Sequence, residues 1–134
     1  MDQTTTAEAE AEVAQLVSEL IAIDSSNFGN DEGPGEAAAA DYVQQRLLEV
    51  GLESERFSTT SDRRQGVYLR IPGKNPERKA LLLHGHLDVV PAPEPDWVHP
   101  AFSGVIDDAG MLWGRGAVDM KDMDGMMLAV IRQW

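Results

Sequence analysis

Two histidines and an aspartate follow a short apolar run near the middle of the chain. The run is Leu81–Leu83, and the polar side chains come after it in the order His84, His86 and Asp88. In extended backbone, residues two apart point to the same side, so all three can face one site. An imidazole binds a metal through one nitrogen, while a carboxylate can accept a hydrogen bond from the other. The spacing suits a metal site, although a single histidine is more often an ordinary core or surface group.

A second polar motif, WGRGAVDMKDMDG, spans residues 113–125 and places Asp119 at the start of a helical segment. A carboxylate is favoured at a helix N-terminus, so an ordinary capping role for Asp119 is the simplest alternative. A calcium loop is excluded, because taking Gly125 as its sixth position puts Met120 and Ile131 where acids are required. The chain also lacks the G-x-S-x-G element of serine hydrolases, a phosphate loop and a dinucleotide fingerprint.

The helices that must position these residues are predicted from apolar residues at helical spacing. They cover residues 7–24, 36–50 and 121–134, and Gly51 is the expected cap of the second helix. The predicted apolar stripes are Val13, Leu16, Val17, Leu20 and Ile21 in the first helix, Ala40, Val43 and Leu47 in the second, and Met123, Met127, Val130 and Ile131 in the third.

The central strand is predicted over residues 79–83, whose apolar residues do not alternate with polar ones, as in a strand buried on both faces. Ligand sites in open α/β sheets lie past the carboxyl ends of strands, which is where His84 to Asp88 fall. The fold class is therefore α/β, with helices layered on a sheet. The other predicted segments are strands at 52–57 and 67–71, a turn at 72–78, a proline-rich loop at 91–104, and two short strands at 105–106 and 111–113.

The composition of the chain limits the kinds of partner that it is expected to bind. The chain has 134 residues, no cysteine and a net charge of −12. An acidic protein is a poor partner for nucleic acid or an anionic membrane. No apolar run approaches the roughly 20 residues of a membrane helix, and the N-terminus lacks a signal-peptide pattern. We therefore expect a cytoplasmic protein that binds neither nucleic acid nor membrane.

Three motifs, HGHLDVVP, WVHPAFSG and GRGAVDMK, resemble in order and spacing the zinc-dependent family of aminoacylase, acetylornithine deacetylase, succinyl-diaminopimelate desuccinylase and glutamate carboxypeptidase. The resemblance extends to LVSELIAIDSSN and AADYVQQRLLEVGLE, and so covers nearly the whole chain. It implies a three-layer αβα zinc-exopeptidase-like catalytic domain, with residues 1–134 as its N-terminal part. The family's inserted dimerisation domain and the C-terminal part of the catalytic domain have no counterpart in these residues.

The resemblance assigns roles to individual residues. It implies that His86 binds one metal ion, that Asp88 is a catalytic-site residue supporting His86, and that Asp119 bridges two zinc ions. His84 matches no ligand of the family and is interpreted as a structural or supporting residue. The resemblance also implies a cis peptide bond between Asp119 and Met120.

The implied reaction is hydrolysis of an amide or peptide bond by a water activated between two zinc ions, with cobalt or manganese as other candidate metals. It implies an exopeptidase, deacylase or deacetylase acting on a small peptide or an N-acyl amino acid, in a complete enzyme that is a homodimer or a monomer. Arg115 and Lys121 are interpreted as supporting the loop and the helix start.

The acidic pair that provides the general base in this family, and the remaining metal ligands, fall beyond Trp134. These 134 residues alone are therefore expected to be inactive. The alternative is a truncated, non-catalytic relative that acts as a binding or interaction module. A third reading is that another chain supplies the missing ligands.

Overall fold

Three α-helices and a two-stranded antiparallel sheet make up the regular structure of the computed structural model, which describes residues 3–58 and 61–134. This mixture of helix and strand agrees with the α/β class. No helix in these described ranges is long and apolar enough to cross a membrane. The elements are α1 (Gln3–Ile21), α2 (Ala37–Leu48), β1 (Glu55–Ser58), β2 (Gln65–Tyr68), a 3-10 helix (Glu94–Asp96) and α3 (Lys121–Arg132).

The apolar stripes predicted for the first two helices are confirmed. Leu16, Leu20 and Ile21 of α1 are buried, and Leu47 of α2 joins Leu16 in the core. The cap of α2 is also confirmed, because Gly51 has a φ of 79°, the left-handed conformation that glycine adopts without strain. α1 begins earlier than predicted because its TTTAEAEAE stretch is rich in the helix formers Ala and Glu.

The buried face of α3 differs from the predicted one. Met123 and Val130 are exposed, so the prediction of an inward stripe through them is wrong. A Cβ atom at Gly125 would collide with the Val17 side chain, so glycine lets α3 approach α1 closely. Apolar periodicity overlooked this face because it is built from small and charged residues. The buried residues of α3 are Lys121, Asp124, Gly125, Leu128 and Ala129.

The prediction of a buried strand over residues 79–83 is wrong for the described structure. Leu81, Leu82 and Leu83 are 83%, 76% and 48% exposed, and residues 79–86 make no backbone-to-backbone hydrogen bond with any described residue. A strand buried on both faces needs paired strands at its edges and packed layers above and below. Within the described ranges the segment has neither, and its apolar side chains therefore face solvent.

The strands predicted at 52–57 and 67–71 correspond to β1 and β2, which are shorter and have shifted ends. β1 pairs with β2 so that Glu55 lies opposite Tyr68, and β2 ends there, leaving residues 69–71 outside it. Of the two short strands predicted at 105–106 and 111–113, the structure keeps one antiparallel bridge, between Ile106 and Leu112.

Candidate metal centre

One wall of the site is fixed by the chain that leaves α1. The backbone N–H of Val89 donates to the carbonyl of Ser25 at 3.1 Å, and that of Asn27 donates to the carbonyl of Val89 at 2.8 Å. The buried Ser25 hydroxyl also donates to the Leu87 carbonyl at 2.6 Å. Residues 25–27 thus form a parallel bridge that holds the backbone on both sides of Asp88.

The opposite wall is the loop that precedes α3. The Arg115 N–H donates to the Ala101 carbonyl at 2.7 Å, and the Lys121 N–H donates to the Gly116 carbonyl at 2.9 Å. The peptide bond between Asp119 and Met120 is cis, as the resemblance implied. These contacts present the Asp119 side chain to the first wall.

The two walls bring His86 and Asp119 together. The Nε2 of His86 lies 3.0 Å from the Oδ1 of Asp119, although the residues are 33 positions apart in the chain. On the other side of the ring, Nδ1 lies 3.0 Å from the Asp88 carbonyl and 3.3 Å from the Asp88 Oδ1. The second Asp88 oxygen accepts a hydrogen bond of 2.7 Å from the Asn27 side chain.

These contacts set the charge of the ring. Partial burial lowers the pKa of His86, but the hydrogen bonds to the Asp88 carbonyl and the Asp119 carboxylate, with the charges of both carboxylates, outweigh it. The net effect raises the pKa of His86 above its ordinary value. The site therefore attracts positive charge, whether it is carried by a proton or by a metal ion.

The facing pair fits one metal ion. A tetrahedral zinc ion with bonds of about 2.0–2.1 Å to nitrogen and about 2.0–2.2 Å to oxygen separates its ligand atoms by roughly 3.3 Å. The 3.0 Å between His86 and Asp119 is within a few tenths of an ångström of that separation. The described residues contain no cluster of three or more ligand side chains that could hold a metal ion, so the donor set is partial.

A cavity of about 540 Å³ lies in front of the pair and gives small molecules access to it. Its lining includes the imidazole of His86, the carboxylates of Asp88 and Asp119, and the backbone of the loop at residues 114–118. The guanidinium of Arg115 lies over the ring of Trp97 at 5.2 Å, which anchors this loop to the proline-rich segment.

His84 does not line the cavity in front of the His86–Asp119 pair. The residue is exposed and lines a second groove, to which His86 and Asp88 also contribute, together with Leu82 and Leu83. This position agrees with the interpretation that His84 is not a ligand.

Lys121 has the supporting role expected of it. Its Nζ is buried and donates to the carbonyl of Leu20, in the last turn of α1, at 2.8 Å and to that of Ile23, just beyond the helix, at 2.7 Å. Burial lowers the pKa of Lys121 to about 8, although the charges of Asp24 and Asp124 act in the opposite direction.

Two further residues of the site were not singled out from the sequence. Asn27 holds Asp88, and the only sequence signal for it was its place in the LVSELIAIDSSN segment. Asp124 is buried against Gly85, and its Oδ2 has no hydrogen-bond partner among the described residues. Burial raises the pKa of Asp124 to about 7, against the lowering effect of the charges of His86 and Lys121. For Asp124, the signal available in the sequence was an acidic residue on the inner face of a predicted helix.

Comparison with known proteins agrees with this geometry. Residues 82–134, which contain His86 and Asp119, match peptidase family M20/M25/M40. The chain is 45% identical over 101 residues to a succinyl-diaminopimelate desuccinylase of Methylorubrum populi and 44% identical over 101 residues to that of Methylorubrum extorquens. It is 34% identical over 100 residues to aminoacylase-1 of Sus scrofa.

These alignments cover 72–75% of this chain but only 24–25% of each relative. The chain belongs to the M20 family of hydrolases, which are generally metal-dependent, and it spans about a quarter of the length of the curated relatives that it matches. The family resemblance found in the motifs is therefore confirmed.

Proposed function

We propose that this chain provides part of the active site of a zinc-dependent enzyme that hydrolyses amide or peptide bonds. The observation that carries the proposal is the approach of the His86 Nε2 to the Asp119 Oδ1, at 3.0 Å, with Asp88 behind the ring. Membership of the M20 family supports it. The proposed substrates are small N-acylated amino acids, including N-succinyl compounds, because relatives are named aminoacylase and succinyl-diaminopimelate desuccinylase.

When bound, zinc supplies Lewis-acid activation of water and of the scissile carbonyl. The residues of this chain would hold the ion and orient its ligands. The backbone carbonyl and the carboxylate of Asp88 accept a hydrogen bond from the Nδ1–H of His86, which leaves Nε2 free to serve as a ligand. The Asp119 side chain is 87% exposed, so its carboxylate would be accessible to hold zinc together with His86.

The fold proposed with this function is the three-layer αβα arrangement, with residues 1–134 as part of its catalytic domain. One side of the segment that carries His86 already faces α3, because a Cβ at Gly85 would meet the carboxylate of Asp124 and the methyl group of Met127. The exposed side chains of Leu81 and Leu82 support a further layer on the outer side.

The proposed function is best tested in a hybrid enzyme. The segment of the M. populi desuccinylase that aligns with this chain would be replaced by the corresponding residues of this chain, and hydrolysis of N-succinyl-diaminopimelate and of N-acetyl amino acids would be measured with zinc. We expect zinc-dependent hydrolysis of at least one substrate, reduced at least about a hundredfold by His86→Ala. A folded hybrid whose hydrolysis is unaffected by His86→Ala would refute the proposal.

Measurements of zinc binding and turnover on the isolated chain help to distinguish this function from the alternative of a non-catalytic binding module. Its described residues supply two ligands, whereas catalytic zinc usually has three from the protein. We therefore expect weak zinc binding and no turnover from the 134 residues alone. A folded hybrid that binds substrate without hydrolysing it would favour the binding module.

A further inference from the structure

Three exposed apolar residues, called the apolar lining below, contribute to the cavity in front of the His86–Asp119 pair. They are Phe28, Val90 and Val118, which are 55%, 62% and 84% exposed. They come from three separate segments of the chain, and Val118 directly precedes Asp119. Ligand sites are concave and largely apolar, with a few polar groups that fix orientation, and this cavity combines both kinds of lining.

Contacts that position the metal site also hold Phe28 and Val90. Phe28 follows Asn27, whose side chain donates to Asp88 at 2.7 Å. Val90 lies two residues after Asp88, next to the parallel bridge that joins this segment to the end of α1. The Phe28 ring packs on Gly33, where a Cβ atom would lie 2.6 Å from a ring carbon. The apolar lining is therefore largely formed in advance, so little ordering is needed when a ligand binds.

The charges around the cavity disfavour an anionic group beside the apolar lining. Arg115 is the only lysine or arginine among the described residues that line the cavity, and its guanidinium lies over the ring of Trp97. The carboxylates of Asp88 and Asp119 line the same cavity and repel a further carboxylate. A succinyl group carries such a carboxylate at its far end, whereas an alkyl or aryl group carries none.

We propose that the apolar lining is a binding subsite for an alkyl or aryl group next to the scissile amide, so that this chain favours apolar N-acyl amino acids over N-succinyl compounds. This inference rests on the proposed function and narrows its substrates. Moving an apolar group from water onto Phe28, Val90 and Val118 supplies the preference. The group can belong to the acyl part of the substrate or to the amino acid side chain.

Ligand binding to the metal-free chain tests the subsite without any need for hydrolysis. The isotope-labelled chain is kept in chelator and titrated, under observation by NMR, with N-hexanoylglycine, N-acetylleucine, N-acetylglycine and N-succinylglycine. We expect at least one of the first two compounds to bind at least about tenfold more tightly than either of the others, with the largest shifts at the apolar lining. Tighter binding of N-hexanoylglycine assigns the subsite to the acyl group, and tighter binding of N-acetylleucine assigns it to the side chain.

Phe28→Ala and Val118→Ser remove apolar surface from the lining. Each is expected to weaken binding of the tighter ligand at least about fivefold. The matched control is Val98→Ser, since Val98 is 85% exposed and lies outside the cavity lining. All three positions are exposed, so circular dichroism is expected to show an intact fold for each variant. Equal weakening by Val98→Ser would contradict the proposed location.

The hybrid enzyme adds a measurement of turnover. In it, Phe28→Ala is expected to raise KM for the preferred apolar substrate at least about fivefold and to leave kcat within about twofold, because the subsite binds the ground state and the transition state alike. Hydrolysis of N-acetylglycine, which has no apolar group to place there, should not change. The rest of the hybrid is identical in both proteins, so the difference reports on this chain.

Three results overturn the subsite: binding of neither apolar compound, binding of N-succinylglycine at least as tight as theirs, or binding that Phe28→Ala and Val118→Ser leave unchanged. Failure of the proposed function looks different. A chain that binds an apolar compound at the lining, combined with a folded hybrid that hydrolyses nothing, would support the subsite and favour the binding module over the hydrolase. An active hybrid whose chain binds neither apolar compound would do the reverse.

Discussion

The Nζ of Lys121 lies 2.8 Å from the carbonyl oxygen of Leu20, a residue 101 positions earlier in the chain. The same ammonium group donates to the carbonyl of Ile23, so a side chain at the start of α3 satisfies the end of α1. The Leu20 carbonyl, in the last turn of α1, also accepts a backbone hydrogen bond from the Ile23 N–H at 3.2 Å, whereas Ile23 lies two residues beyond the helix. One buried lysine therefore joins the start of α3 to the end of α1, two residues after Asp119 of the candidate metal centre.

Replacing this lysine is expected to destabilise the fold. Lys121→Met keeps the length of the side chain but removes the ammonium donor from the Leu20 and Ile23 carbonyls, of which Leu20 keeps only the Ile23 N–H, at a net cost of about 2 kcal/mol in the free energy of unfolding. Urea denaturation of the variant measures the loss, and Lys74→Met at an exposed position is the control. Equal stability of the two variants would show that the buried ammonium contributes nothing.

The close packing of α1 on α3 predicts a coupled pair of substitutions. Gly125→Ala introduces a methyl group that collides with the side chain of Val17, and we expect a loss of about 1–3 kcal/mol. Val17→Ala in the same chain makes room for that methyl group, so the double variant should recover part of the loss. A double-mutant cycle with no coupling would contradict the contact.

Asp88 is expected to control metal affinity without being a ligand. Asp88→Asn keeps the shape of the side chain but removes the charge that orients the His86 ring, and supporting groups of this kind are worth about 10–100-fold in metal affinity. Zinc titration followed by calorimetry measures the effect. Asp108→Asn, at an exposed position outside the cavity lining, is the control and should bind zinc as the unchanged chain does.

The raised pKa of His86 predicts a pH-dependent stability in metal-free protein. Its folded pKa lies above the unfolded value of 6.5, so the protonated ring stabilises the folded chain below pH 6.5. This contribution disappears as the pH rises through the folded pKa. The stability difference between the unchanged chain and His86→Gln, measured in chelator, should shrink as the pH is raised from 6 to 9. A constant difference would contradict the raised pKa.

Asp124 predicts a trend in a lower pH range. Its pKa rises from 3.8 in the unfolded chain to about 7 in the folded chain, chiefly because of burial. Between these values the folded chain holds a proton that the unfolded chain has lost, so stability falls as the pH rises from about 4 to about 7. Asp124→Asn removes this dependence and should be the more stable protein at pH 8, by roughly a few kcal/mol.

The chemistry of the site was easier to predict than its packing. His86, Asp88 and Asp119 were singled out through the family resemblance of the motifs that carry them, and the structure brings their side chains together, while their roles at a metal ion stay predictions. The face of α3 was mispredicted because Gly125 and the buried Lys121 carry no apolar signal. Gly125 allows α3 to approach α1 closely, and Lys121 donates two hydrogen bonds to carbonyls at the end of α1. Neither contribution can be recognised before the position of α1 is known.

The mispredicted strand has a different physical cause. An apolar run such as Leu81–Leu83 indicates burial, and its composition fits a central strand, but the burial of a strand depends on its neighbours. Asn27 was missed for a related reason, because its role depends on a partner 61 positions away that only the folded backbone brings near.

The three exposed leucines also bear on the tendency of this polypeptide to form fibrils. Short apolar segments in extended backbone seed cross-β stacking when they are left uncovered. Lys79 precedes the run and Gly85 closes it, so a charge and a residue of low β propensity limit the aggregation-prone stretch to a few residues. Replacing Lys79 with an uncharged apolar residue would lengthen that stretch and make the chain a nucleus for amyloid.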